Sequence, residues 1–271
     1  MSDRTADRGP VVCERRGPVA LLTMDRPGTG NTLTADLLDG LLRHLTTLAA
    51  DPSVRAVVLT GSGPVFSLGG DLADFERALA DDAGDPARYS RPLTDTLALV
   101  VRTIREMRAS VIAAVNGQAA GAGFALALAC DIRIAAERAA LNFAYGSLGA
   151  STDGGMSWFL PRVVGPARAL ALLLEQPIIR APRALREGLV TEVVPAADLL
   201  DHALRTATHL ARSAPHTVAA AKRLIDASHT SDLAGHLALE HETFAAGLST
   251  GDMRRGLAAR RRNELPVFEG N

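Results

Sequence analysis

The chain is predicted to fold as an α/β protein that ends in a helical region, and three observations carry that expectation. Two apolar runs, Val57-Val58-Leu59-Thr60 and Val111-Ile112-Ala113-Ala114-Val115, each lead into a glycine-rich turn and then into the start of a helix. Repeated strand–turn–helix units are the crossovers of an α/β sheet. Ahead of them, Leu37, Leu38, Leu41, Leu42, Leu45 and Leu48 recur at helical spacing. After about Pro195 the strand patterns stop and only helical patterns follow.

In chain order, Met1 to Pro10 is polar and reads as a frayed start without a signal peptide. Residues 11–14 and Val19–Met24 form a hairpin around Gly17-Pro18. Thr34 is placed to cap a helix running to about Ala50. A buried strand over 56–60 and a short helix over 71–79 come next. The acidic stretch Asp81-Asp82-Ala83-Gly84-Asp85-Pro86, broken by Gly and Pro, reads as a mobile loop. A helix from about Leu93 to Met107 returns the chain to the strand at 111–115, and Cys130 to Ala135 reads as another strand. Helices are expected over 199–212, Pro215–Ala227, Leu233–Leu248 and Gly251–Arg262. Leu233, Leu237, Glu240, His241 and Phe244 give the third of these one apolar face, which must pack on the core or on a neighbour.

Composition narrows the function classes. With 271 residues, 47% of them hydrophobic, the chain can bury one large core, or one core and a small appendage. A net charge of −1 gives no field favouring nucleic acid or an anionic membrane. Cys13 and Cys130 lie far apart in apolar contexts and read as structural thiols of a reducing, cytoplasmic compartment. His236 and His241 are off the i, i+4 spacing of a metal pair, and no histidine lies between Leu45 and Asp201. The central stretch therefore holds no Ser-His or Cys-His pair, and no metal is expected.

The two glycine turns, Leu68-Gly69-Gly70-Asp71 and Gly121-Ala122-Gly123, carry the chemistry. Small residues let a ligand approach the backbone closely. The first N–H groups of a helix lack intrahelical partners and carry the positive end of its dipole. Two such termini aimed at one point hold a developing oxyanion without a charged side chain. A close helix–strand contact explains small residues at 121–123 equally well.

In this order and with these flanks, the turns resemble the crotonase (enoyl-CoA hydratase/isomerase) superfamily. Thr23-Met24-Asp25-Arg26-Pro27 with Asn31-Thr32-Leu33 is similar to the family's N-terminal strand and loop. Cys130-Asp131-Ile132-Arg133-Ile134-Ala135 is similar to its strand after the second turn, and Glu187-Gly188-Leu189-Val190 to its Gly-Leu-Val segment. The resemblance runs from about Val19 to Phe268. It implies a spiral of ββα turns over residues 1–195, which carries a thioester site. It also implies a C-terminal helical oligomerisation region over 196–271, assembling a homotrimer or a dimer of trimers.

By resemblance, Gly70 and Ala122 take the positions whose N–H groups form the family's oxyanion hole; Ala122 stands where glycine is commonest, so its backbone angles must suit a residue with a Cβ. Asp71 reads as a structural residue at a helix start. Both hydratase glutamates are missing: Ala125 and Tyr145 occupy their positions, and neither is a carboxylate base near neutral pH. Asp153, in Gly149-Ala150-Ser151-Thr152-Asp153-Gly154-Gly155, matches a working aspartate of dienoyl-CoA isomerases, ring-epoxide isomerases and chlorobenzoyl-CoA dehalogenases. It serves either as the acid–base residue, since no other acid is placed to do so, or as the cap of a helix entered near Ser157. Leu68, Ala125 and Tyr145 are expected to line the acyl pocket, and Arg26 and Phe268 to border the nucleotide of coenzyme A. Ala73 stands where the family often has a lysine, which leaves room for an acyl-carrier-protein thioester.

The expected activity is isomerisation or rearrangement of an unsaturated or cyclic acyl thioester in a pocket drier and wider than a hydratase's, with the loop around 81–86 setting acyl size. Coenzyme A enters only as part of the substrate, and no cofactor, nucleic acid or membrane is expected. The alternatives are a hydratase-like or decarboxylating crotonase of secondary metabolism and an acyl-CoA-binding homologue that has lost catalysis.

Overall fold

The computed structural model describes residues 9–80 and 85–271. Ten strands and eleven helices alternate along them: β1 (Val11–Arg16), β2 (Val19–Met24), α1 (Ala35–Ala50), β3 (Ala56–Gly61), β4 (Val65–Ser67), α2 (Leu72–Ala80), α3 (Pro86–Glu106), β5 (Ser110–Val115), β6 (Gln118–Ala120), α4 (Ala122–Ala129), β7 (Ile132–Ala136), β8 (Ala140–Asn142), α5 (Met156–Val164), α6 (Pro166–Glu175), β9 (Ile179–Arg180), α7 (Ala181–Arg186), β10 (Glu192–Val194), α8 (Leu199–Leu210), α9 (Pro215–Ala227), α10 (Leu233–Leu248) and α11 (Gly251–Arg262).

The strands form two sheets. One is ordered β1-β2-β3-β5-β7-β10 and the other β4-β6-β8-β9. All pairs are parallel except the β1–β2 hairpin and β8–β9. Each turn of the chain lays a long strand in the first sheet and a three-residue strand in the second, then crosses back: β3–β4, β5–β6 and β7–β8 repeat the unit. This is the expected ββα spiral. Strands buried on both faces read as continuous apolar runs, and β3 and β5 are buried at all six positions. One face of the first sheet packs with α1, α3 and α4 around Leu37, Leu41, Ile104, Phe124 and Phe143. The other face is covered by α8 through Leu199, Ala203 and Ala207 against Val58, Ile112 and Ile134. The first helix beyond residue 196 is thus a layer of this core.

Most elements fall where the sequence places them, and α9, α10 and α11 match residue for residue. Three differ. The helix expected from Leu93 begins at Pro86 and runs through Pro92; a proline in the first turns removes a single hydrogen bond that the helix survives. Cys130 closes α4, and the strand starts at Ile132 because the Asp131 carboxylate takes the place of a ladder group, accepting from Val111 N at 2.8 Å. Thr34 sits at the N-cap position of α1 with extended angles, but its hydroxyl accepts from Arg26 Nη1 at 2.6 Å and caps nothing. Residues 81–84 of the acidic loop, like most of the polar start, lie outside the described residues; Asp85 leads directly into α3. No helix among the described residues is long and apolar enough to cross a membrane.

Candidate active site

The two glycine turns touch. A Cβ on Gly69 would stand 2.8 Å from the Ala120 carbonyl oxygen and 3.1 Å from the Ala122 nitrogen, and one on Gly123 would meet Ser67. Gly69 has φ +85° and Gly121 φ +50°, so both positions call for glycine on backbone grounds as well. Gly70 makes room for the ring of Phe75, 2.6 Å from where its Cβ would be. Ala122 is the first residue of α4 and has no positive φ, so the alanine fits without strain. Among the described residues, no protein oxygen accepts from the N–H of Gly70 or of Ala122.

The loop between β2 and α1 locks the first turn in place. Asn31, fully buried at φ +53°, accepts from Arg26 N and donates to the carbonyls of Ser62 and Val65. Leu33 N bonds the Gly69 carbonyl at 2.8 Å. Asp71 accepts from Thr32 Oγ1 and from Ala73 N, the structural role expected at the start of α2.

A cavity of about 460 Å³ opens over both turns. Leu68, Gly70, Ala122, Tyr145 and Asp153 all line it. The Tyr145 hydroxyl donates to Asp153 Oδ1 at 2.8 Å. Burial raises the Asp153 carboxyl above its usual range, and the hydrogen bond from Tyr145 pulls partly back. Burial, then the neighbouring Asp153 charge, push the Tyr145 phenol far up, so it remains a protonated donor. The side chain of Asp153 does not cap α5: Gly155 is the N-cap, and only the Asp153 backbone carbonyl reaches Met156 N. No Lys or Arg is among the lining residues, whereas Asp71 and Asp153 both are.

Three expected site residues lie elsewhere. Ala125 is fully buried, in contact range of Gly154 and behind the cavity wall, because every residue of α4 is packed in the core. The guanidinium of Arg26 is turned to Thr34, although Thr29 and Thr32 of the same loop reach the cavity. Phe268 lines a separate apolar groove of about 750 Å³ among α9, α10 and α11, which shares no residue with the first. The tail folds back because the buried Asp252 carboxylate takes the N–H groups of Glu269 and Gly270. Thr32 and Ser151, which stand in the loop and turn motifs without an expected role, also line the cavity, as do Thr29, Phe75 and Leu148, which carry no motif by which a sequence could single them out.

The family model described as enoyl-CoA hydratase/isomerase matches residues 14–271. A probable enoyl-CoA hydratase of Rhodobacter capsulatus is 38% identical over 255 residues, which cover 93% of this chain and 95% of that one. The 1,2-epoxyphenylacetyl-CoA isomerase of Escherichia coli K12 is 35% identical over 256 residues, covering 93% and 95%. The crystal structure of an enoyl-CoA hydratase from Polaromonas sp. JS666 superposes with a TM-score of 0.89 at 34% identity, covering 95% of this chain and 99% of that one. Family model, relatives and fold agree over nearly the whole length, and the chain belongs to the enoyl-CoA hydratase/isomerase family, the crotonase superfamily of acyl-CoA-processing enzymes.

Proposed function

We propose that this crotonase isomerises or rearranges a neutral unsaturated or cyclic acyl group carried as a thioester. The observation that carries this reading is Asp153: an acid with a raised pKa that lines the same cavity as two residues, Gly70 and Ala122, whose N–H groups have no protein acceptor among the described residues. The thioester carbonyl sits between the N–H groups of Gly70 and Ala122, which act as an oxyanion hole. Asp153 then moves a proton at the carbon next to the carbonyl or vinylogous to it. With Ala125 and Tyr145 at the glutamate positions, the other carboxylate on the wall is Asp71, which is taken up by Thr32 and Ala73 N, so addition of water is disfavoured. With two acids and no cation on the wall, an acyl group bearing its own carboxylate is repelled.

Deuterium wash-in next to the thioester carbonyl tests the reading directly. Asp153→Asn is expected to keep acyl-CoA binding and lose about 10²–10⁴-fold of the exchange. Crotonyl-CoA hydration is expected at no more than a trace. Hydration at about 10 s⁻¹ or faster, or full exchange by Asp153→Asn, overturns the assignment.

A further inference from the structure

Tyr145 occupies a position that supplies a carboxylate in the hydratases this chain resembles, yet its hydroxyl is aimed at another acid. We propose that Tyr145 is a positioning residue for Asp153, its hydroxyl holding Oδ1 so that Oδ2 is the oxygen that takes and returns the substrate proton. The inference rests on the proposed role of Asp153 and adds to it which oxygen works and what aims it.

The geometry is specific. The O–H···Oδ1 bond is 2.8 Å, and among the described residues no other side chain hydrogen-bonds the carboxylate; its remaining protein donor is the backbone N–H of Asp153 itself. Tyr145 is held by a frame independent of Asp153. Ala144 stands at φ +62°, a left-handed conformation that strains a residue with a Cβ; its N–H is taken by Asn142 Oδ1 at 3.2 Å. On the other side, Gln176 Oε1 accepts from Gly146 N at 2.9 Å and Ser147 N at 3.2 Å. Strain kept at one residue beside the cavity and braced on both sides is the usual mark of a placed side chain.

No ion competes for Asp153. The other acid lining the cavity is Asp71, just before α2 and already bonded to Thr32 and Ala73 N, and Ala122 is what α4 contributes to the lining; behind Asp153, Gly154 lies against Ala125 of α4 and Leu97 of α3. On α5, Phe159 packs on Gly155, and the Arg105 guanidinium, 6.0 Å from the centre of its ring, is paired with Asp131 and Asp226. Burial is what holds the carboxylate back from ionising, and the Tyr145 hydroxyl is the side chain that eases it. In the step itself, a C–H bond of the acyl group breaks and its proton goes to Oδ2. The electron pair moves into the enolate, whose oxygen rests on the Gly70 and Ala122 N–H groups. A proton from Oδ2, which exchanges with solvent while it sits there, is then given to the vinylogous carbon, so the double bond moves and the atom count is unchanged.

The test is a ¹³C NMR titration of the full chain labelled at the aspartate carboxyls, the Asp153 signal being the one absent from Asp153→Asn. It is paired with the pH profile of deuterium exchange into 3-hexenoyl-CoA. Removing a hydrogen bond to a charged group is expected to raise the Asp153 midpoint in Tyr145→Phe by about one pH unit. The acid limb of exchange should rise with it, so that exchange falls about ten-fold at low pH and recovers at high pH. Site-specific 3-fluorotyrosine at 145, a stronger donor of nearly the same shape, is expected to move the midpoint down, and serves if the phenylalanine variant does not fold. An unmoved midpoint, or exchange lost equally at every pH, overturns the inference. Undiminished exchange in Asp153→Asn overturns the proposed function and this inference with it, whereas loss there beside an unmoved midpoint in Tyr145→Phe overturns this inference alone.

Discussion

The contribution of Ala122 can be tested at its nitrogen alone. Its N–H has no helical partner, and a proline is well tolerated at the first position of a helix. Ala122→Pro therefore removes one N–H from the cavity wall while α4 survives. Turnover is expected to fall about 10²–10³-fold with a melting temperature close to that of the parent chain; unchanged turnover would show that this N–H holds no oxyanion. Asp153 allows a second test, on stability. Its folded-state pKa is raised, so the folded chain binds a proton that the unfolded chain has already lost, and ionising it in place costs stability. That cost is absent below the unfolded pKa, near 4, and fully present above the raised folded value. Asp153→Asn is expected to raise Tm by a few degrees at pH 8, with the gain fading as pH falls toward 4. A gain constant across that range would contradict the raised pKa.

At the scale of an element, the segment from β8 to α5 shows how backbone features far apart in sequence place one side chain. The 3₁₀ turn after Tyr145, closed by Leu148 N and Ala150 N on the Tyr145 carbonyl, is pinned by Gln176, the left-handed C-cap of α6. A Cβ at Gly146 would overlap the Gln176 amide. Because that amide is the flexible end of a side chain, Gly146→Ala is expected to displace it and to forfeit its two hydrogen bonds. The stability cost is about 1–2 kcal/mol, read from the denaturant midpoint, and turnover should fall alongside because the frame of Tyr145 loosens. Gln176→Ala should reproduce both losses. If either variant keeps full turnover while losing stability, the turn does not aim the tyrosine.

Across the whole molecule, one surface stands out. Leu237, Phe244, Leu248 and Leu257 on α10 and α11 remain open to solvent, Phe244 at 66%, and they border the groove that holds Phe268. A helix with an uncovered apolar face needs a partner surface. Self-association through α10 and α11 into three or six chains is the expected outcome in sedimentation equilibrium, and Phe244→Asp should shift the chain toward monomer. A parent chain that stays monomeric at micromolar concentration would remove this expectation.

The sequence alone determined what local chemistry specifies. Helix spacing placed α9, α10 and α11 to the residue, because their stripes and their prolines and caps are written within one segment. The apolar runs of β3 and β5 marked strands buried on both faces, and the glycines at 69 and 121 marked backbone that only glycine enters easily. Gly70, Ala122, Leu68, Tyr145 and Asp153 were legible as neighbours through resemblance, and they do share one cavity. Tertiary structure decided the rest. Strands β4, β6 and β8 are three residues long, too short for a period to show, and exist because each finds a partner strand brought by the spiral. Whether Ala125 reached the cavity depended on the loop packed over α4, and whether Phe268 did depended on a tail held by Asp252. The bond from Tyr145 to Asp153 joins residues eight apart across a turn braced by Gln176, thirty residues downstream of Gly146. A side chain's type is fixed by its codon; the atom it meets is fixed by the packing of every segment around it.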